Sequence, residues 1–370
     1  MVDAFSDKLT SVTVAGKGSL SWPLTERLTA TAAFSSGRML DISNVATWSS
    51  DTTAAATVDN DGLVTTADAG STMIHAMYEG MEGTLPLTVT MPQIAVGAFN
   101  SAGIDFFPAN ANGNVAPVRS IRGALTTLSE PGEIVATDTE LFVVDQGSAI
   151  IVFDKNASGN VAPLRRISGA LTTLGAASGL ALSDTDIFIG DQSSKVLVFP
   201  RSGTGNIAPS RSITSSGLTS TLGVLTTADE LYVSSYTSNT ITVFPLAANG
   251  ITVPTRVING TNTAMNAPHG LALANGELFI ANAGGNAVTV MDPKASGNVF
   301  PYRVVIGAMT SLSYADDIVV LGNRIYTANY TNSSVQVFDI AASGNVTPIA
   351  TITGAMTLMN GPFGIGLVQP

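Results

Sequence analysis

The chain has 370 residues, no cysteine, only 12% charged residues and a formal net charge of −11. Without cysteine there are no disulfides, thiolate metal sites or cysteine nucleophiles, and the acidic balance sets the chain against phosphate backbones, so nucleic acid is not expected as a partner. Abundant Gly, Ala, Ser and Thr predict an all-β protein with many tight turns, and no run of about 18 apolar residues offers a membrane span.

The first segment, Met1 to Phe5, carries neither the basic region nor the apolar stretch of a signal peptide. From residue 10 to 91 the chain reads as about seven short alternating strands, the pattern of a β-sandwich. Leu28 to Ala32, Met73 to Tyr78 and Leu85 to Thr90 alternate, and Asp59-Asn60-Asp61-Gly62 is a tight turn between two strands. Trp48 is the expected core tryptophan, and His75, inside an alternating strand, is read as structural. Ala46-Thr47-Trp48-Ser49-Ser50-Asp51, then Ala56-Thr57-Val58-Asp59, Gly62-Leu63-Val64-Thr65 and Ala69-Gly70-Ser71 together resemble the bacterial Ig-like group 2 (Big2) domain. That resemblance implies a spacer or adhesive module of a bacterial surface or secreted protein. The expectation is an extracellular, cell-surface or periplasmic protein, its signal peptide absent from this chain.

Beyond residue 92 one pattern recurs six times. A Phe-type position is followed ten residues later by Pro, usually within Gly-Asn-Val-Ala-Pro-x-Arg: Phe107/Pro117, Phe153/Pro163, Phe199/Pro209, Phe244/Pro254, Met291/Pro301 and Phe338/Pro348. Successive prolines are 46, 46, 45, 47 and 47 residues apart. Short strands at a period in the mid-forties predict a propeller or a solenoid. Each repeat holds four strand signals, taken here as first to fourth from the axis outward. In one repeat they are Gly179 to Leu182, Ile187 to Asp191, Val196 to Phe199 and Pro209 to Ile213. The chain ends at Gly364 to Val368, a first strand with nothing after it, and the repeats begin at Ile94 to Gly97, a second strand with nothing before it. One blade is therefore expected to be shared between the termini, which removes the open edges. The predicted fold is all-β: an N-terminal Ig-like β-sandwich (1–91) plus a six-bladed β-propeller (92–370) closed by that shared blade.

Pro268-His269-Gly270-Leu271-Ala272, Leu141 to Asp145 and Ile241-Thr242-Val243-Phe244 resemble the strands of the NHL family of six-bladed propellers. The resemblance implies a ligand face around the axial opening, built by the loops before the first and after the second strands. Aligned on it, Gly132, Ser178, Leu222, His269, Asp316 and Phe363 ring the opening, and Gln146, Gln192, Tyr236 and Tyr330 line the rim. His269, Asp316, Gln146, Gln192, Tyr236, Tyr330 and Phe363 are the candidate ligand-binding residues; amide and aromatic side chains at a concave mouth suit a sugar or a peptide. His269 and Asp316, from neighbouring blades, are placed to hydrogen-bond and are the candidate catalytic pair. Asp316, Asp317 and Glu133 are the candidate metal ligands, for Ca2+, which needs six or more oxygens; the main reading requires no cofactor. Gluconolactonase-like propellers carry acidic and amide metal ligands at this ring, streptogramin-inactivating lyases paired histidines, and RNA-binding NHL proteins a basic face. This chain has one acidic residue among the six ring positions, one propeller histidine and an acidic balance.

Asp145, Asp191, Asn282 and Asn329 recur at the end of the second strand and are read as turn anchors. Arg119, Arg165, Arg211, Arg256 and Arg303, on the outermost strand, are read as charges that block edge pairing. The expected function is a non-enzymatic platform for a protein, peptide or glycan at the cell envelope. The alternatives are a metal-assisted lyase or lactonase at the axial mouth, and a structural subunit of a surface assembly. The last would use the connectors carrying Leu125, Leu128, Leu171, Leu174, Met309, Leu312, Met356 and Met359 as an apolar patch.

Overall fold

The computed structural model describes residues 7–146 and 149–370. The start of the chain, read above for a leader, lies outside the described residues. The fold is all-β, and among the described residues the helical content is confined to single 3-10 turns. Among the described residues no helix is long and apolar enough to cross a membrane. The chain divides into two compact units, one up to Pro92 (with Pro370) and one over Gln93–Gln369.

The first unit contains ten short strands among its described residues, rather than about seven, because turns interrupt the longer apolar runs. They form three sheets. Leu9–Ala15, Thr29–Phe34 and Met39–Asp41 make one; Ser19–Ser21, Met81–Thr90, Gly70–Tyr78 and Thr47–Ser50 make another; Thr25–Arg27, Leu63–Thr66 and Ala56–Val58 make the third. In Thr29–Phe34 every second side chain is buried, so one face meets the core and the other solvent. Trp48 belongs to that core, and its indole N–H donates to Ser43 O at 2.8 Å. The Asp59 carboxylate accepts the N–H groups of Asp61 and Leu63, which shapes the turn at Gly62. Gly62 has φ +76°, and a Cβ there would meet the Trp48 ring at 2.8 Å, so glycine is required twice over. His75 pairs at the surface with Glu82 Oε1 (2.8 Å) and Asp51 Oδ1 (3.0 Å).

In the second unit each repeat folds into one antiparallel sheet. Pro131–Ala136, Glu140–Asp145, Ala149–Asp154 and Arg165–Ser168 pair in that order, and each following repeat has the same four, the next one with Gly250–Ile251 added in parallel at its outer edge. The remaining sheet joins Gln93–Ala98, Gly103–Pro108 and Arg119–Arg122 from the start of the unit to Pro362–Val368 at its end. The first strands are Pro131–Ala136, Ala177–Leu182, Thr221–Thr226, Pro268–Ala274, Ala315–Leu321 and Pro362–Val368. Each neighbours the next, and the last neighbours the first, so they close a ring around an axis. Fourth strands start later than the sequence suggests: Arg211, not Pro209, opens the one in Arg211–Thr214, since proline has no N–H for the ladder.

Between adjacent sheets lie apolar layers. One holds Phe142, Val152, Leu180, Ile189, Leu197 and Phe199, all buried. The Gly-Asn-Val-Ala-Pro-x-Arg signature stitches these layers together. Asn160 Oδ1 accepts Leu125 N–H of the preceding sheet's 3-10 turn at 2.8 Å, and Asn206, Asn298, Asn345 and Asn114 do the same elsewhere. The arginines correct the edge-charge reading. Arg303 forms a two-pronged pair with Glu277 (2.7 and 2.7 Å), donates to Ile340 O of the next sheet at 2.7 Å, and lies 5.7 Å from the Phe279 ring centroid. Arg165, Arg211 and Arg256 repeat this with Glu140, Asp186 and Glu230 and with carbonyls of the next sheet. Arg119 uses Gln93 and the carbonyls of Lys155 and Ala157. Flanking aromatic rings and carbonyls consume these charges, so they clamp one sheet to the next. At the repeat that has Ala350 instead of Arg, Tyr326 donates its hydroxyl to Ala109 O across the closing junction at 2.7 Å.

Candidate functional site

The six ring positions sit one per first strand, and four of them meet. His269 Nδ1 lies 3.1 Å from Asp316 Oδ1, His269 Nε2 lies 3.2 Å from Ser178 Oγ, and the Phe363 ring packs edge-on at 4.9 Å. With Asp316 ionised, Nδ1 must carry the proton, and Nε2 accepts from the Ser178 hydroxyl. Ser178, His269 and Asp316 thus stand in the order of a Ser-His-Asp relay. Ser178 has no exposed surface, and His269 and Asp316 are 4% and 1% exposed. Buried this deeply, the trio links three first strands as a polar lock across the axis. Asp316 Oδ2 is buried without a partner, and burial raises its carboxyl above the ordinary range while the His269 hydrogen bond pulls it down.

One residue further along, glycine is the common occupant, because a Cβ there meets the neighbouring strand: at Gly179 it would lie 2.0 Å from Leu222 O. Two sheets carry a carboxylate instead. Glu133 Oε2 accepts Leu180 N–H at 2.7 Å, and Asp317 accepts Ile365 N–H and Ile318 N–H, both at 2.8 Å. Each reaches the first strand of the next sheet and satisfies an N–H on its inner edge. Burial, then repulsion from Asp317, holds the Glu133 carboxyl well above its usual range; burial pushes Asp317 up to about 6. Glu133 Oε2 and both Asp317 oxygens accept backbone N–H groups, and Asp316 Oδ1 faces His269. Among the described residues no group of three His, Asp or Glu side chains is placed to hold a metal. Asp316, Asp317 and Glu133 therefore do not fit a calcium cage.

Above the lock is the rim. The residues following the second strands are Phe99, Gln146, Gln192, Tyr236, Ala283 and Tyr330 in ring order, and each donates its N–H (3.0–3.1 Å) to a carbonyl of the loop entering a first strand. The rim is divided. Gln146 and Gln192 form an amide side, Gln146 with its Nε2 buried and without a partner among the described residues. The other side is aromatic. Tyr236 and Tyr314 share a hydroxyl hydrogen bond of 2.9 Å, Tyr314 and Tyr330 lie 6.1 Å apart, Tyr330 and Phe99 6.1 Å, and Phe99 stacks on Phe363 at 5.4 Å. All five rings are half-buried. Tyr314 holds φ +57°, an uncommon conformation for a bulky residue, and its N–H donates to Asn286 Oδ1 at 2.6 Å. Burial, then the Tyr236 hydroxyl, raises the Tyr314 phenol above its ordinary pKa.

The structure thus brings together His269, Asp316, Phe363, Tyr236 and Tyr330, sets Gln146 and Gln192 opposite the aromatic side, and places Asp317 and Glu133 beneath. Sequence reasoning missed Ser178 as the third member of the lock, and Tyr314 and Phe99 as rim residues. Phe99 was findable: it follows the second strand of the shared sheet as Tyr330 follows its own. Tyr314 carried no such signal, because its equivalents are Glu130, Ala176, Ser220, Ala267 and Gly361. Asp145, Asp191, Asn282 and Asn329 anchor the loops by accepting N–H groups from Ser129, Gly175, Asn266 and Ser313. The connector residues split: Leu125, Leu171, Met309 and Met356 are exposed, whereas Leu312 and Met359 are buried and Leu128 and Leu174 pack on the core.

Residues 9–89 match the model of the bacterial Ig-like domain (group 2). The N-terminal unit therefore contains an Ig-like domain. Ice-binding protein 1 of Shewanella frigidimarina (strain NCIMB 400) is 37% identical over 83 residues, which are 22% of this chain and 9% of that protein. Among solved structures, a chain of a nidogen/laminin complex superposes with a TM-score of 0.56 at 16% identity, covering 75% of this chain and 98% of its own. A functionally unknown protein from Desulfotomaculum acetoxidans DSM 771 superposes with a TM-score of 0.47 at 14% identity, over 74% of this chain and 84% of its own.

Proposed function

We propose that the second unit is a six-bladed β-propeller of NHL type, and that it serves as a non-enzymatic binding platform for a protein, peptide or glycan, a glycan first. Four-stranded radial sheets, first strands in a closed cycle and a sheet shared between the ends of the unit support the propeller. The observation that carries the function is the divided rim: five half-buried aromatic rings beside an amide side, over an axis already closed. Aromatic faces stack on the C–H faces of sugars, and amides meet the hydroxyls. The Ig-like domain acts as spacer or second contact for a protein exported to the bacterial envelope or beyond. The 83 residues shared with the ice-binding protein cover too little of it to carry its activity here.

Calorimetric titration of the full chain against glycan and peptide panels tests the reading. The expected result is a glycan ligand whose affinity falls at least tenfold in Tyr330→Ala and in Tyr236→Ala, with melting temperature changed by only a few degrees. A ligand that binds both variants as it binds the parent would place the binding surface elsewhere and overturn the proposal. A ligand found only among peptides, with the same dependence on Tyr236 and Tyr330, would keep the platform and replace the glycan.

A further inference from the structure

The opposite end of the axis holds a second feature. Beneath the His269 lock lies a cavity of about 360 Å³, lined by all six first strands. Its floor is Glu133 and Asp317. Its walls are Ile134, Leu180, Val224, Leu271, Ile318 and Ile365, and the outermost rung, two residues further along each strand, is aliphatic except for Thr226. The three steps of strand from Glu133 to Ala136, at about 3.3 Å each, give a depth of roughly 10 Å. Asp317 is 4% exposed, whereas Glu133 keeps more of its surface free because it faces this cavity.

The charges here do not balance. No lysine, arginine or histidine lines the cavity. Each first strand is the terminal strand of its sheet, so the carbonyls and N–H groups of its inner edge lie outside the sheet's own ladder. The two floor carboxylates already take the N–H groups of Leu180 and Ile365. What the floor offers is therefore acceptor capacity and negative charge, and what the walls offer is aliphatic surface. A dehydrated metal ion does not suit such walls, and an anion is repelled by the floor. An ammonium group fits: it has three donors and one positive charge on a compact head, and an alkyl tail would replace water along the walls. Burial holds both carboxyls above their ordinary range, with repulsion from Asp317 adding to it at Glu133, and a cation beside them supplies a counter-charge.

We propose that this cavity is a binding site for a small primary alkylammonium ion, its head on the Glu133 and Asp317 carboxylates and its tail along the aliphatic walls. The site lies on the side of the lock away from the aromatic rim and is independent of it.

The test is calorimetric titration of the full chain with hexylammonium chloride at constant ionic strength, beside hexanol and hexanoate. Hexylammonium should bind and saturate, with hexanol and hexanoate at least tenfold weaker. Glu133→Gln should weaken hexylammonium at least tenfold. Leu273→Trp, which fills the outer rung and leaves both carboxylates in place, should abolish binding, while Tyr330→Ala on the other face should leave it unchanged. Equal binding of hexanol, no saturable heat, or undiminished binding by Leu273→Trp would overturn the proposal. Should Glu133→Gln fail to fold, the hexanol comparison and Leu273→Trp decide it.

Discussion

At the scale of single residues, the buried carboxyls along the axis set a pH dependence. Asp317 is raised from an unfolded value near 3.8 to about 6, and burial is the main cause. A carboxyl with a raised folded pKa binds its proton more tightly in the folded state. Its contribution is complete below the unfolded value, is lost as pH climbs from about 4 to about 6, and is flat above. Glu133 and Asp316 shift in the same direction. Glu140, Glu230 and Glu277 shift the other way, lowered first by hydrogen bonds to Arg165, Arg256 and Arg303, so their contribution is lost on acidification below their ordinary range. Stability should therefore peak in mildly acid solution. Melting curves between pH 4 and 7 should show it, with an alkaline-side decline for Asp317 on the order of 3 kcal/mol. Asp317→Asn should flatten that decline and lower stability at pH 4, because an amide oxygen cannot replace both carboxylate oxygens toward Ile318 and Ile365. An unchanged slope in the variant would place the titration on other groups.

At the scale of elements, the repeat signature is a device for joining sheets. Its asparagine holds the preceding sheet's 3-10 turn, and its arginine grips the following sheet while lying over an aromatic ring. Arg303→Ala strips two charge-assisted hydrogen bonds from Glu277 and one from Ile340 O. With side chains 16% and 24% exposed, the loss should be about 2 kcal/mol, read as a fall in the urea midpoint. Arg303→Lys should recover less than half of it, since an ammonium cannot span Glu277 and Ile340 together as the planar fork does. Full recovery by lysine would mean that charge alone matters. Tyr326→Phe should cost about 1 kcal/mol, because it leaves Ala109 O unpaired at the closing junction. The spacing of Pro and Arg was legible in the sequence. Their task was not, because the carbonyls of Ile340, Leu246 and Pro293 carry no side-chain signature and lie about 37 residues further on.

At the scale of the whole molecule, the ring is closed by pairing Gln93–Ala98 with Pro362–Val368. An open array of such sheets would expose two strand edges and unravel from its ends. Ending the chain at Gly361 should therefore replace the sharp unfolding of the second unit by a broad transition, or leave the protein aggregated, in scanning calorimetry. A truncated chain that still melts sharply would show that each sheet is held by its neighbours alone. The closed axis also explains the division of surfaces. His269, Asp316, Ser178 and Phe363 seal one end, the aromatic rim stands outside the seal, and the cavity stands inside it.

The amino-acid sequence by itself determined that the protein is all-β, that an Ig-like domain precedes the repeats, where each repeat turns, and that His269 and Asp316 belong together. These follow from local alternation, turn chemistry and a fixed period, each written within some tens of residues. Only the tertiary structure decided that Ser178 completes the lock, that Tyr314 and Phe99 join the rim, that the arginines are clamps, and that Glu133 faces a cavity. Each depends on which strand lies beside which across the axis, as between Ser178 and His269, 91 residues apart. That proximity comes from closing the ring and leaves no periodic trace in the chain.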